Sequence, residues 1–104
     1  DQAEAEAMAR LWADQRSPVV TGIKGQTGHT AGASGLMSAV MAAFTLATGR
    51  YPGIHHLERP LAAGAGLGFA RGAGTIARPR YAQVNAFGFG GLNAVAILER
   101  TVRP

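Results

Sequence analysis

Val19-Val20-Thr21-Gly22-Ile23-Lys24-Gly25-Gln26-Thr27-Gly28-His29-Thr30-Ala31-Gly32-Ala33-Ser34-Gly35 is the stretch from which the fold is read. An apolar run ends at a glycine, a loop carries Lys24 and His29 between further glycines, and a helix opens on alanines and small polar residues. In order, that is a strand, a loop able to carry chemistry and a helix start. Two titratable side chains five residues apart, on a loop whose glycines let the backbone approach a bound group, suit a site that handles developing negative charge. A tight strand-to-helix turn with a surface lysine and a capping-region histidine explains the same spacing, and short motifs of this kind discriminate weakly.

Upstream of this stretch, residues 2–14 consist almost entirely of good helix formers, with Asp1 placed to cap the N-terminus and Glu4 three residues on. Ala3, Ala7, Met8, Leu11 and Trp12 fall on one face at helical spacing, which predicts an amphipathic surface helix packed through Met8 and Trp12. Pro18 disfavours helix at Ser17, so a short buried strand is expected over 18–23. Downstream, residues 31–48 read as a second helix closed by Gly49. Leu36, Met37, Val40, Met41, Phe44, Leu46 and Ala47 leave it almost no polar face, which predicts a helix buried between layers. So little chain cannot cover both of its sides, a first sign that these residues belong to something larger.

The composition sets outer limits. The chain has 104 residues, of which 47% are hydrophobic and only 15% charged, so it is globular and much of it must be covered. Its 15 glycines gather in loops between apolar runs, where they mark turns and close approaches. There is no cysteine, which excludes disulfides, thiolate metal sites and a cysteine nucleophile on this chain. Asp1 to Asp14 lacks the apolar core of a signal peptide, and the apolar run from Leu36 to Ala47 reads as about twelve residues, short for a bilayer span. A soluble, cytoplasmic protein with no membrane association is expected. The net charge of +4 comes mainly from arginines, including Arg50, Arg59, Arg71, Arg78, Arg80, Arg100 and Arg103. An acidic protein partner fits that surface better than nucleic acid, because no RNP-like run, zinc-finger spacing or aromatic-interleaved basic helix is present.

Residues 51–79 are rich in glycine and proline and read as an irregular excursion with short extended segments. Gly64-Ala65-Gly66-Leu67-Gly68 is no dinucleotide fingerprint, since the third glycine would fall on Phe69 and neither a strand before nor a helix after is expected. His55 and His56 are adjacent, so in a strand they would face opposite ways, a poor start for a metal site. A strand pair is expected over 80–100, with Phe87-Gly88-Phe89-Gly90-Gly91 between its strands. That loop is either a simple hairpin turn or one that presents backbone N–H groups to a ligand.

Taken together the two glycine-rich loops are far more specific than either alone. Lys24-Gly25-Gln26-Thr27-Gly28-His29, running into Ala31-Gly32-Ala33-Ser34-Gly35, resembles the Lys-x-x-x-Gly-His-x-x-x-Ala-x-Gly element of β-ketoacyl synthases. Asn85-Ala86-Phe87-Gly88-Phe89-Gly90-Gly91-Leu92-Asn93 is similar to that family's Asn-Ser-Phe-Gly-Phe-Gly-Gly-x-Asn element, and Asp1 to Ala5 to the acidic, alanine-rich helix start before the first element. The resemblance implies an α/β fold, the C-terminal part of a thiolase-like layered α/β/α/β/α arrangement that is incomplete on its own, with the helix at 31–48 in the middle layer. It implies part of a β-ketoacyl-acyl carrier protein synthase, which carries out decarboxylative Claisen condensation of malonyl and acyl thioesters in fatty-acid or polyketide synthesis without a cofactor or metal.

By the same resemblance, His29 corresponds to the second histidine of a Cys-His-His triad and Lys24 to the family lysine. Phe87, Gly88 and Phe89 belong to the oxyanion and acyl-gate element, with Thr27 and Asn85 as substrate-binding positions. The nucleophilic cysteine and first histidine would come from an N-terminal ketosynthase portion or a companion chain. The partners implied are an acyl carrier protein and a second ketosynthase subunit in a homo- or heterodimer. Three positions depart from the family: Ser38 stands where many members have a glutamate that pairs with the lysine, Ala86 replaces a serine, and Leu92 a small or hydroxyl residue. The alternative is a non-condensing, chain-length-factor-like partner subunit, against which the retention of Lys24 and His29 argues.

Overall fold

A computed structural model describes residues 1–101, so Arg103 lies outside the described residues. The first helix, α1, spans Gln2–Leu11 and ends a turn earlier than expected. Trp12 leaves the helical region at φ −108°, and residues 12–14 continue only as a turn. Asp1 sits at the N-cap without a side-chain hydrogen bond, and Gln2 donates to Glu6 along the helix at 2.9 Å. The covered face is also rotated from the expected one: Ala5 is buried and Glu4, Met8, Ala9 and Trp12 are half-buried, whereas Ala3, Ala7 and Leu11 are exposed. The turn at Ala62–Gly64 meets α1 on this face, and Glu4 is drawn inward by a polar partner on a distant strand.

The expected strand over 18–23 is only Val19–Val20 (β1), because its parallel partner Gly68–Phe69 (β3) runs for just those two residues. Ser17 Oγ accepts from the Gly68 N–H at 3.0 Å and Thr21 Oγ1 donates to the Pro52 carbonyl at 2.6 Å. Residues 24–27 form a one-turn helix, α2 (Lys24–Thr27), where a loop was expected. The third helix begins as a 3₁₀ turn at Ala31–Ala33 and continues as α3, Ser34–Thr48. Gly49 ends it in the left-handed conformation, φ 77°, with its N–H on the Thr45 carbonyl. A side chain there would be strained and would also meet the Ile76 carbonyl oxygen.

The excursion after α3 is stitched rather than free. Arg50–Tyr51 (β2) pairs antiparallel with Gly74–Thr75 (β4), and the Ile54 N–H donates to the Ala70 carbonyl at 2.8 Å. His55 and His56 lie on a turn, where the left-handed His56 (φ 62°) brings the two rings to 3.8 Å, so the strand argument for opposed faces does not apply. Among the described residues no three His, Cys, Asp or Glu side chains converge as a metal site. The longest strands are Tyr81–Phe87 (β5) and Asn93–Glu99 (β6), in antiparallel register from Tyr81 opposite Glu99 to Phe87 opposite Asn93.

Helix α3 packs on β5 and β6. A Cβ added to Gly35 would stand 3.9 Å from that of Ala86, so the helix lies on the sheet face that carries the even-numbered side chains. On that face Val84 is buried and Ala82 and Leu98 are half-buried, whereas Ala86, Ala94 and Ala96 stay exposed. The opposite side of α3 is open, with Leu36 70% exposed and Val40 and Phe44 also exposed. Within these residues α3 is therefore not a buried helix, because the hairpin covers one side only. The apolar segment is also longer than twelve residues: Ala31–Thr48 is 18 residues with mean hydropathy 1.4, enough by length and composition to cross a membrane. Core helices of soluble proteins have the same composition, and this one has a sheet against it. The odd-numbered sheet face is open as well, with Tyr81, Val95 and Ile97 exposed.

Candidate active site

The loop that carries Lys24 and His29 is shaped by its own residues. Ile23 is buried and anchors the start of α2, its carbonyl accepting from the Gln26 and Thr27 N–H groups at 2.9 and 3.0 Å. Lys24 is the first residue of that turn and is exposed. The Thr27 hydroxyl lies 2.8 Å from the Gly28 carbonyl oxygen and 3.2 Å from that of Ile23, so it serves the backbone of the turn. Gly28 then takes φ 74° and ψ 173°, a combination reserved in practice for glycine, and this reverses the chain into His29. Gly25 is required for a different reason, since a Cβ there would come within 2.9 Å of the His55 carbonyl oxygen.

The His29 ring is held from one side. Its Nδ1 accepts the Ala31 backbone N–H at 3.1 Å and lies 2.9 Å from Ser34 Oγ. A backbone N–H can only donate, so Nδ1 carries the lone pair and the proton of the neutral ring sits on Nε2. The Ala31 N–H reaches the ring because Ala31 adopts φ 51°, an unfavourable conformation for a residue with a Cβ. Strain of this kind, about 1–2 kcal/mol, persists where the surroundings over-determine it. The sequence did not show that Ala31 and Ser34 act on His29. The available signal was a hydroxyl five residues after the histidine, at the start of a helix.

The second loop joins the same end of the molecule. Gly35, in the first turn of α3, lies against Ala86, the residue before Phe87. The first turn of α3 and the end of β5 thus lie against each other. The Gly88 N–H donates across the turn to the Leu92 carbonyl at 2.7 Å and is committed to the hairpin. Gly90 and Gly91 supply the left-handed turn, with φ 83° and 81°. Phe87 stands opposite Asn93 one residue away from that bonded pair, so by the alternation of antiparallel ladders its N–H points away from β6. Phe89 is fully exposed and Phe87 is 53% exposed.

Asn85 is hydrogen-bonded within the chain through both ends of its amide. Its amide nitrogen donates to Glu4 Oε1 at 2.9 Å and its amide oxygen accepts from Gln83 Nε2 at 2.7 Å. This pair ties α1 to the strand that leads into the second loop, and it explains why Glu4 makes no capping box. Lys24 has no acidic partner among the described residues, where the one ion pair is Arg80–Glu99 at 3.5 Å. Two depressions in the surface of the described residues are lined by other side chains than the candidate ones. One, of about 540 Å³, lies at the far end of the hairpin among Arg78, Arg80, Glu99, Arg100 and Thr101.

The family model described as "Beta-ketoacyl synthase, C-terminal domain" matches residues 1–58, which include α1, the Lys24–His29 loop and all of α3. The highly reducing polyketide synthase sorA of Penicillium rubens is 37% identical over 106 aligned residues, covering 95% of this chain and 4% of that protein. Polyketide synthase ThaG of Burkholderia thailandensis is 38% identical over 94 residues, covering 77% of this chain and 2% of its own length. The polyketide synthase component of lovastatin nonaketide synthase from Aspergillus terreus is 32% identical over 114 residues, 95% of this chain and 4% of that protein. The chain belongs to the β-ketoacyl synthase C-terminal domain family, and its fold is the C-terminal part of the thiolase-like fold. It spans only a few per cent of the length of these relatives. The open outer stripe of α3 is what a middle-layer helix needs, since in a layered fold a second sheet packs on its other side.

Proposed function

We propose that this chain supplies the histidine and lysine of a ketosynthase active site that catalyses decarboxylative condensation in polyketide synthesis. The observation that carries this reading is the Ala31 N–H on His29 Nδ1, which leaves Nε2–H as the ring's outward donor. Decarboxylation of a malonyl thioester breaks the bond between the α-carbon and the carboxylate, and the electron pair moves onto the thioester oxygen as an enolate. A neutral N–H aimed at that oxygen lowers the barrier as the charge develops. The enolate carbon then attacks an acyl thioester on a cysteine outside this chain, a C–C bond forms and the thiolate leaves. Lys24 adds positive charge beside the site, and Phe87 is the gating phenylalanine, whose backbone N–H would help to hold the acyl thioester oxygen during transfer.

Polyketide rather than fatty-acid synthesis is favoured because the relatives are polyketide synthases. The Arg78, Arg80 and Arg100 surface suits an acidic acyl carrier protein, and the working unit is a cytoplasmic dimer of ketosynthase domains. The test is malonyl-carrier-protein decarboxylation by the full-length protein and its His29→Ala variant. A loss of about 10²–10³-fold is expected, the scale for removing one oxyanion donor; equal rates would sink the reading.

Lys24 lacks an acidic partner among the described residues and Ser38 stands in the family's glutamate position, which favours a second reading, a non-condensing partner subunit. The two separate on whether the upstream polypeptide carries a cysteine at a strand-to-helix turn. With glutamine there, the condensing role fails.

A further inference from the structure

We infer that Ser34 is a positioning residue for the reaction: its hydroxyl is the second donor onto His29 Nδ1 and fixes the plane of the ring from which Nε2–H donates. The directions of the hydrogen bonds follow from elimination. The Ala31 N–H at 3.1 Å requires an acceptor at Nδ1, so Nδ1 has no proton to offer Ser34. The 2.9 Å contact between Ser34 Oγ and Nδ1 is therefore O–H donating to N. That leaves the Ser34 oxygen free to accept, and the Thr30 N–H points at it from 3.2 Å. The Thr30 hydroxyl, 3.1 Å away, cannot receive the Ser34 proton as well; it donates either to Ser34 Oγ or to Met37 Sδ at 3.3 Å. A short chain results, from Thr30 N–H through Ser34 O–H to His29 Nδ1, in which each bond polarises the next.

Two donors from different directions constrain the ring more than one does. With the Ala31 N–H alone, the imidazole can tilt about that contact and swing Nε2–H off the substrate oxygen. Ser34 opposes this from α3, which is seated on β5 beside Ala86. Protonation of Nδ1 would place an N–H against the Ala31 N–H, and Ser34 O–H would have to turn away. The Ala31 contact therefore favours the tautomer whose N–H donor is Nε2. Thr30 and Ser34 are half-buried, so the hydroxyl is partly screened from competing water.

This inference rests on the reading of His29 as the enolate donor, and the experiment separates the two. In the full-length protein, Ser34→Ala should lower kcat for malonyl-carrier-protein decarboxylation about tenfold, the rate equivalent of one hydrogen bond realised in the transition state. KM should stay within about twofold, because a positioning role acts on the transition state rather than on uniform binding. Ser34→Thr should restore kcat to within about twofold, since the hydroxyl returns. With nitrogen-15 histidine, the His29 signals, assigned by their loss in His29→Ala, should show an unprotonated Nδ1 and a protonated Nε2. In Ser34→Ala they should shift toward averaged tautomers. A wild-type Nδ1 that carries the proton overturns the proposal, and so does a Ser34→Ala variant with unchanged kcat and unchanged signals. If Ser34→Ala does not fold, the wild-type nitrogen signals and the Ser34→Thr rate decide alone. If His29→Ala decarboxylates normally, the catalytic reading fails while the nitrogen signals still judge Ser34.

Discussion

The loop over 24–35 is cross-linked by its own side chains, whereas the loop over 88–92 is shaped by two left-handed glycines and one backbone hydrogen bond. In the first, the Thr27 and Ser34 hydroxyls meet backbone groups and the histidine ring, so the loop itself holds His29 in place. In the second, Phe87 is about half exposed and Phe89 is fully exposed. Preorganisation suits a group that must meet developing charge, because reorientation during the reaction costs free energy. A bare aromatic on a glycine hinge suits a group that has to move.

The sharpest way to break this contrast is to compare the loops in one assay. His29→Ala should cut malonyl decarboxylation by about 10²–10³-fold, while Phe87→Ala should leave it within about threefold and instead impair acyl loading, as expected of a gate rather than a charge-stabilising donor. Equal losses in decarboxylation would erase the distinction. Gly28→Ala, at φ 74° and ψ 173°, should destabilise by about 1–3 kcal/mol and disturb His29 as well. Gly90→Ala should cost about 1–2 kcal/mol of strain with no steric clash, since nothing lies within 4 Å of the added Cβ. Thermal inactivation of decarboxylation measures both, and only the first variant should lower the rate at low temperature.

Smaller effects sharpen the supports of the second loop. Glu4→Ala leaves the half-buried Asn85 amide without its acceptor and should cost about 1 kcal/mol, with a coupling to Asn85→Ala of similar size in a double-mutant cycle. Additive effects would show that the contact contributes nothing. Glu99→Gln should change stability by less than about 0.5 kcal/mol, because the Arg80–Glu99 pair is 72% and 54% exposed and long at 3.5 Å.

Much of this was legible because it depends on local chemistry. The strand pair at 80–100 alternates at period two and is interrupted by glycines, and the structure has β5 and β6 there. Gly49 closes α3 because a left-handed C-cap needs no tertiary partner. What failed to show depends on partners far along the chain. The buried face of α1 is turned from the one that apolar spacing predicted, since Glu4 follows Asn85, 81 residues away. The strand at 18–23 shrank to two residues because β3 offers no longer edge. Residues 24–27, with a glycine among them, gave no helical signal, yet the Ile23 carbonyl gathers them into a turn.

The sequence by itself determined the family, the two glycine-rich loops and the identity of the polar groups, because these follow from residue types at fixed spacing. Only the tertiary structure decided that the start of α3 lies against the end of β5, and that Phe87 directs its N–H away from β6. It also decided that the Ala31 N–H sets the tautomer of His29. Those outcomes depend on strand register, on a left-handed alanine and on which nitrogen faces a fixed N–H. None is a property of a residue type, and all are settled only when helix, sheet and loop occupy one place together.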